Sequence, residues 1–112
     1  MQSPTNVGVD INFKLLLHKF CIIGSGESGI GCALLAKQKG YEVFVSDGKT
    51  IKEIYKKELE LAGIEYEEGC HTLSKILNAN EVMKSPGISY KVDVVQKVLD
   101  AKPDIIVTAA YG

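Results

Sequence analysis

The sequence predicts an α/β fold: an open parallel sheet of about five strands with helices on both faces. Two observations predict it. Short apolar runs alternate with helical patterns from residue 20 onward, and a glycine-rich hexapeptide joins the first predicted strand to the first predicted helix. Such alternation requires right-handed crossovers, so we expect parallel strands in the spatial order 3-2-1-4-5, as in a Rossmann-like domain.

Five segments rich in branched or aromatic residues are predicted as strands, and four segments between them as helices. The strands are residues 20–23, 43–45, 64–66, 82–83 and 105–107, and the helices are residues 28–39, 51–62, 72–77 and 92–101. Gly40 and Gly63 follow the first two helices as stop signals, Thr72 is a candidate N-cap, and Pro103 follows the last helix. The loops at the carboxyl ends of the strands, at residues 24–29, 46–50, 68–71 and 84–89, should border any ligand.

Length and composition fit a single soluble domain. The 112 residues carry a formal net charge of -1 and 24% charged residues, so the balance indicates neither nucleic acid nor a membrane surface as a partner. The N-terminal residues lack the pattern of a secretion signal, and we expect a cytoplasmic protein. Residues 19–112 form the predicted domain, whereas residues 1–18 fit no βαβ pattern and are predicted to be a leader or an extra edge element.

No catalytic residue, cofactor site or metal site is predicted on this chain. The cysteines, Cys21, Cys32 and Cys70, form no C-x-x-C pair, and the first two are predicted to be small buried hydrophobes. His71 lies beside the predicted cleft without an acidic or cysteine partner at ligand spacing, so we expect a surface or capping residue. The acidic run at residues 65–69 is predicted to be a solvated edge.

The hexapeptide at residues 24–29 is predicted to bind a diphosphate. Gly24 permits the tight turn out of the strand, Gly26 lets the backbone approach a phosphate, and Gly29 lets the helix pack against the sheet. The helix that follows presents unpaired N–H groups to the anion. The other candidate contacts in this loop are Ser25, Glu27 and Ser28.

An acidic residue at the end of the second predicted strand is a candidate for binding a ribose. Asp47 follows Gly24 by 23 positions, where its carboxylate can accept hydrogen bonds from sugar hydroxyls. Glu27 disfavours a dinucleotide, because a carboxylate repels a diphosphate unless its side chain points away or binds ribose or base donors. Lys49 would supply a compensating positive charge. The loop and Asp47 alone leave both UDP and NAD open as ligands.

The stretch KSPGI after the fourth predicted strand is more specific. Ser85, Pro86 and Gly87 predict a rigid turn that can border a base, a sugar or an anionic group, although a plain turn has the same composition. Together with GSGESGIG, VFVSDGK and EEGCHT, this turn resembles the N-terminal domain of the D-glutamate-adding enzymes of the Mur ligase family, over about residues 19–100.

The resemblance implies a function in peptidoglycan synthesis. In that family the N-terminal domain holds the UDP part of UDP-N-acetylmuramoyl-L-alanine, while central and C-terminal domains provide the ATP and Mg sites and the amide-forming chemistry. By position, Glu27 and Ser28 would meet the uridine or diphosphate. The segment of Asp47, Gly48 and Lys49 would surround the uracil and ribose, and Ser85, Pro86 and Gly87 would border the nucleotide and its muramyl extension.

The chain departs from the family pattern in three places. Gly48 stands where many relatives carry a hydroxyl residue, and no G-x-x-x-x-G-K-[ST] motif occurs, so this chain alone is predicted to be inactive. The end, AKPDIIVTAAYG, resembles a strand of the methionyl-tRNA formyltransferase family. The alternatives to a UDP-binding domain are therefore an NAD-binding dehydrogenase domain and a non-catalytic hybrid of Rossmann-like sequences whose cleft binds no ligand.

Overall fold

The computed structural model describes residues 18–89, 91–102 and 106–109, and the predicted leader lies outside these ranges except for His18. For residues 106–109 the structure describes the backbone and not the side chains. Strands and helices alternate without exception. In chain order they are β1 (Lys19–Ile23), α1 (Glu27–Gln38), β2 (Glu42–Asp47), α2 (Glu53–Ala62), β3 (Glu65–Glu68), α3 (Leu73–Leu77), β4 (Glu81–Lys84), α4 (Asp93–Ala101) and β5 (Ile106–Ala109).

The strands form one sheet in the order β3-β2-β1-β4-β5, and every neighbouring pair is parallel. The predicted α/β class with a parallel sheet is therefore confirmed. The chain winds outward from β1 in one direction through β2 and β3, and in the other through β4 and β5. The carboxyl ends of β1, β2 and β4 consequently meet at the point where the winding reverses, which is where ligands bind in sheets of this type.

Both faces of the sheet are covered, and successive residues of each strand alternate between them. One face packs Phe20, Ile22 and Val45 against α1 and α2, with Ile30 and Leu59 as their fully buried partners. The residues of the central strand β1 are apolar on both sides from Phe20 to Ile23 because neither face of the sheet meets water there.

The other face of the sheet packs against α3 and α4. Cys21, Ile23 and Val82 lie there against Ile76 and Val95, and all of these residues are almost completely buried. The two apolar layers hold β1 at the centre of the domain, so the loop that leaves β1 starts from a rigid position.

Two expectations about individual residues need correction. The acidic stretch after Ile64 forms the edge strand β3, but Glu67 and Glu68 are not merely solvated: both are partly buried and bind other parts of the chain. Cys32 is partly exposed on α1 rather than buried, whereas Cys21 is fully buried as predicted. All three cysteines are free. None of the helices in the described ranges is long and apolar enough to cross a membrane.

Candidate functional site

The loops that follow β1 and β4 are fixed by hydrogen bonds that continue the sheet beyond its strands. The N–H of Gly24 donates to the carbonyl of Ser46 at 2.9 Å, and the N–H of Ser85 donates to the carbonyl of Ile23 at 2.9 Å. These bonds fix where the three chain segments leave the sheet. The three strand ends therefore form one connected platform.

The glycine loop packs directly beneath Ser85. The Ser85 hydroxyl is buried and donates to the carbonyl of Gly24 at 3.1 Å. A Cβ added at Gly29 would lie 2.3 Å from that carbonyl oxygen and 2.8 Å from the Ser85 hydroxyl. Gly24 also has a φ of +100°, a left-handed conformation that favours glycine. Only glycine fits at these two positions without displacement of the backbone.

Asp47 holds the glycine loop to the end of β2. One carboxylate oxygen accepts hydrogen bonds from the N–H and the hydroxyl of Ser25, at 2.9 Å and 2.5 Å, and the other accepts from the N–H of Lys49 at 2.8 Å. The carboxylate therefore shapes both loops at once. Three of its acceptor positions are filled by the chain itself, and fewer remain for a ribose than the sequence suggests.

The amino end of α1 is open to an anion. Gly26 is its N-cap residue and provides no side-chain hydrogen bond to the first turn, and no other side chain of the described residues caps the N–H groups there. A Cβ at Gly26 would meet nothing within 4 Å, which leaves the backbone accessible. The helix dipole and these N–H groups favour a bound phosphate. Glu27 is exposed at the same helix end and disfavours an anion that approaches its carboxylate.

The turn after β4 forms the opposite wall. The N–H of Ile88 donates to the carbonyl of Ser85 at 3.0 Å, which closes a four-residue turn over Pro86 and Gly87. Pro86 and Gly87 are exposed, and they line the same cleft as the glycine loop. The proline fixes its own φ, so this wall is stiff.

These segments enclose a cavity of about 730 Å³ at the carboxyl ends of the strands. Its size lies in the range of small-molecule sites. Every residue predicted for the site lines it except Gly29, which lies beneath the loop and makes room for Ser85. The lining residues are Gly24, Ser25, Gly26, Glu27, Ser28, Asp47, Gly48, Lys49, His71, Ser85, Pro86, Gly87, Ile88, Ser89 and Val92.

His71 is the lining residue whose surroundings the sequence did not predict. Its Nδ1 lies 2.7 Å from the hydroxyl of Ser46, and that hydroxyl lies 2.7 Å from a carboxylate oxygen of Glu67. Glu67 also accepts hydrogen bonds from the N–H and the hydroxyl of Thr72, each at 2.6 Å. His71 is partly exposed in the cleft, in keeping with a surface residue, but its ring contacts a hydroxyl and, through that hydroxyl, a carboxylate, which the sequence did not predict.

Glu67 is ionised in this network. Burial opposes ionisation, but the hydrogen bonds from Thr72 and Ser46 outweigh that effect and lower the pKa of the carboxyl below its ordinary value. Sequence spacing could not reveal the network, because its members come from the ends of β2 and β3 and from the loop before α3. The available signal was the position of residues 68–71 among the loops at the carboxyl ends of the strands.

Comparison with known families identifies the relatives of this chain. A family model described as the MurD N-terminal domain matches residues 19–94. A ligase from Cytophaga hutchinsonii, named UDP-N-acetylmuramoylalanine–D-glutamate ligase, is 47% identical over 80% of this chain and 20% of its own length. The enzyme of the same name from Christiangramia forsetii is 52% identical over 71% of this chain and 18% of its own length.

A solved structure agrees with this comparison. A pseudomurein peptide ligase type C from Methanothermus fervidus is 27% identical and superposes with a TM-score of 0.71, over 82% of this chain and 19% of that one. This chain therefore spans about a fifth of the length of the relatives it matches. The family model ends before the last strand, so the resemblance of that strand to formyltransferases stays a prediction.

Proposed function

Because the chain belongs to the MurD N-terminal domain family, we propose that it binds the UDP part of UDP-N-acetylmuramoyl-L-alanine. It would serve as the substrate-holding domain of a peptidoglycan ligase that adds D-glutamate to this nucleotide sugar. The single observation that carries the proposal is the 730 Å³ cavity, which the glycine loop, the end of β2 and the Ser85 turn form together.

The chemistry of the cavity walls supports a specific orientation of the nucleotide. The diphosphate would lie against Gly26 and the open N–H groups of α1, where backbone donors and the helix dipole favour negative charge. The uracil and ribose would lie toward Gly48 and Lys49, at the end of β2. The muramyl group would leave the cavity past Pro86 and Gly87, which are exposed at its rim.

The contacts of Asp47 leave little capacity for a direct hydrogen bond to a ribose, whether of NAD or of UDP. The NAD alternative depends on the glycine loop and on an acidic side chain that accepts hydrogen bonds from a ribose. In this structure the Asp47 carboxylate already accepts three hydrogen bonds from Ser25 and Lys49. Asp47 therefore acts first as the residue that shapes the loop, and its effect on a nucleotide would be largely indirect.

The full reaction is also a proposal for this protein. In the ligase, ATP with Mg supplies the activation of the substrate carboxylate, and those sites would lie on central and C-terminal domains. This chain would hold the UDP part of the substrate while the other domains carry out the reaction. We expect no ligase activity from this chain alone. We propose that the complete enzyme works in the cytoplasm, where its nucleotide substrates occur.

Titration calorimetry with UDP, UDP-N-acetylmuramoyl-L-alanine and NAD tests the proposal. We expect the two uridine ligands to bind and NAD to give no heat of binding. Ligand-observed NMR with the same three compounds extends the test to weak binding, which is expected when a domain provides only part of a ligand's contacts. NAD binding without a response to UDP would show the dehydrogenase alternative to be correct. If none of the three compounds shows binding, the alternative of a cleft that binds no ligand is favoured.

A further inference from the structure

The ring of His71 lies against Gly48, inside the cavity. A Cβ added at Gly48 would be 3.1 Å from Nε2 of His71 and 3.5 Å from its Cδ2. Nε2 is therefore the ring atom nearest to that position. The glycine leaves the space that a side chain at position 48 would fill, and the edge of the imidazole takes its place in the cavity wall.

The hydrogen-bond network fixes which ring nitrogen carries the proton. The Ser46 hydroxyl has a single hydrogen, and its oxygen lies 2.7 Å from Glu67, 2.7 Å from Nδ1 of His71 and 3.5 Å from the carbonyl of Cys70. The Glu67 carboxylate can only accept, and two oxygens 2.7 Å apart need a hydrogen between them, so the Ser46 hydrogen is placed in this short contact rather than in the longer one to Cys70. The oxygen of Ser46 then accepts from Nδ1–H of His71.

In the neutral ring of His71, Nε2 therefore carries no proton. Neutral imidazole carries one proton, and the bond to Ser46 holds it on Nδ1. Within the described part of the chain, Nε2 makes no hydrogen bond to another residue. Its lone pair is left beside Gly48 in the cavity wall.

We propose that His71 is a binding residue for the nucleoside, with Nε2 accepting a hydrogen bond from a uridine N–H or hydroxyl group beside Gly48. Ser46 and Glu67 are positioning residues that act through the ring. The inference depends on the proposed UDP site and names the side chain that recognises the nucleoside there by a hydrogen bond. Uridine offers three such donors, the base N3–H and the 2′ and 3′ hydroxyls. An acceptor on a fixed ring selects for one of them by geometry.

Three variants separate this role from simple packing. His71→Leu removes both ring nitrogens, and His71→Gln places an amide oxygen near the position of Nε2. Ser74→Ala on α3 is the matched control, because that side chain is exposed and outside the cavity. We expect about a 3- to 10-fold weaker UDP affinity for His71→Leu, as for a lost neutral hydrogen bond. His71→Gln should recover part of this loss, and the control should bind as the wild type does.

Analogues that each lack one donor identify the group that Nε2 binds. The set is 2′-deoxy-UDP, 3′-deoxy-UDP and 3-methyl-UDP, each titrated into the wild type and into His71→Leu. If an analogue lacks the donor that Nε2 binds, its affinity should already be reduced in the wild type. His71→Leu should then reduce the affinity for that analogue little further. The proposal would be overturned if, for all three analogues, the loss of affinity from the analogue and the loss from His71→Leu were simply additive. Equal UDP affinity of the wild type and His71→Leu would do so as well.

A measurement without nucleotide keeps the two proposals distinguishable. Nitrogen-15 NMR of the histidine rings at about pH 8, above the ordinary titration range of imidazole, reports which nitrogen carries the proton. We expect the Nδ1–H form for His71, and Ser46→Ala should reduce its population. An Nε2–H form would overturn the role of His71 even where UDP binds. A wild type that binds no UDP would overturn both proposals.

Discussion

The hydroxyl of Ser85 donates a hydrogen bond to the carbonyl of Gly24, and this contact joins two loops that lie 61 residues apart in the sequence. It places the turn after β4 on top of the turn after β1. Gly29 lies directly beneath the pair, because a larger residue there would collide with both. The cavity thus depends on a close approach of two backbones that is set by one serine and two glycines.

Gly29→Ala should destabilise the fold. The added methyl group would lie 2.3 Å from the carbonyl oxygen of Gly24, so the backbone must shift, at a cost of about 1–3 kcal/mol in the free energy of unfolding. Gly31→Ala is the control in the same helix, where an added Cβ meets nothing within 4 Å. It should stabilise the domain by about 0.5–1 kcal/mol. Urea unfolding of both variants checks the prediction, which is wrong if the two changes have the same sign.

Asp47→Ala should reduce both stability and nucleotide affinity. It leaves three donors of Ser25 and Lys49 without their acceptor, at a cost of about 1–3 kcal/mol in the free energy of unfolding. Thermal unfolding and calorimetric titration with UDP measure the two effects. The control is Asp100→Ala at an exposed position on α4, where we expect a change within about 0.5 kcal/mol.

Ser25→Ala tests whether Asp47 acts through the glycine loop. This variant removes only the hydroxyl bond and should weaken UDP binding in the same direction as Asp47→Ala, but by less. Unchanged UDP affinity in both variants would contradict the placement of the nucleotide at this end of the sheet.

The stability of the domain should fall in acid through Glu67. The pKa of this carboxyl is lowered in the folded state, so its contribution is complete above the unfolded pKa of about 4.3 and is lost as the pH falls through the lower folded value. Glu67→Gln should be less stable than the wild type near pH 7, and its stability should fall less steeply below about pH 4. Unfolding by urea at a series of pH values measures this, with Glu42→Gln as an exposed control. Parallel stability profiles for the wild type and Glu67→Gln would count against the assignment.

Thiol labelling should separate Cys21 from Cys70. Burial, with a smaller contribution from the charge of Glu67, raises the pKa of the Cys21 thiol to about 12, while Cys70 is exposed. A maleimide at pH 8 should label Cys70 in the folded protein and reach Cys21 only after unfolding. Mass spectrometry of the labelled peptides checks this, with Cys70→Ser as the control. Rapid labelling of Cys21 in the native protein would show that β1 is not buried at the centre of the sheet.

The sequence predicted the order of strands and helices and most of the cavity lining, because both follow from local patterns. The glycine spacing and the SPG turn mark the ends of β1 and β4, and the parallel topology brings those ends together. The hydrogen bonds between the loops could not be predicted from the sequence. Asp47 binds Ser25 across 22 residues, and His71 reaches Ser46 across 25, distances at which residue type alone selects no partner.

The acidic strand β3 shows a second limit of local patterns. A run of carboxylates is typical of solvated surface, yet Glu67 accepts hydrogen bonds from Ser46 and Thr72. In addition, Glu68 pairs with Lys56 and accepts the N–H of Ile51. Side chains of one strand alternate between the two faces of the sheet, and these two carboxylates anchor different neighbours for that reason.

The position of β3 at the edge of the sheet also affects how copies of this chain meet one another. An edge strand exposes unpaired N–H and C=O groups that can recruit another strand and begin aggregation. Here three of the four residues, Glu65, Glu67 and Glu68, are acidic. A second copy that aligned its own β3 along this edge would bring like charges together. We therefore expect this acidic edge to disfavour pairing of β3 with a second copy, although Lys75 and Lys56 compensate part of its charge through Glu65 and Glu68.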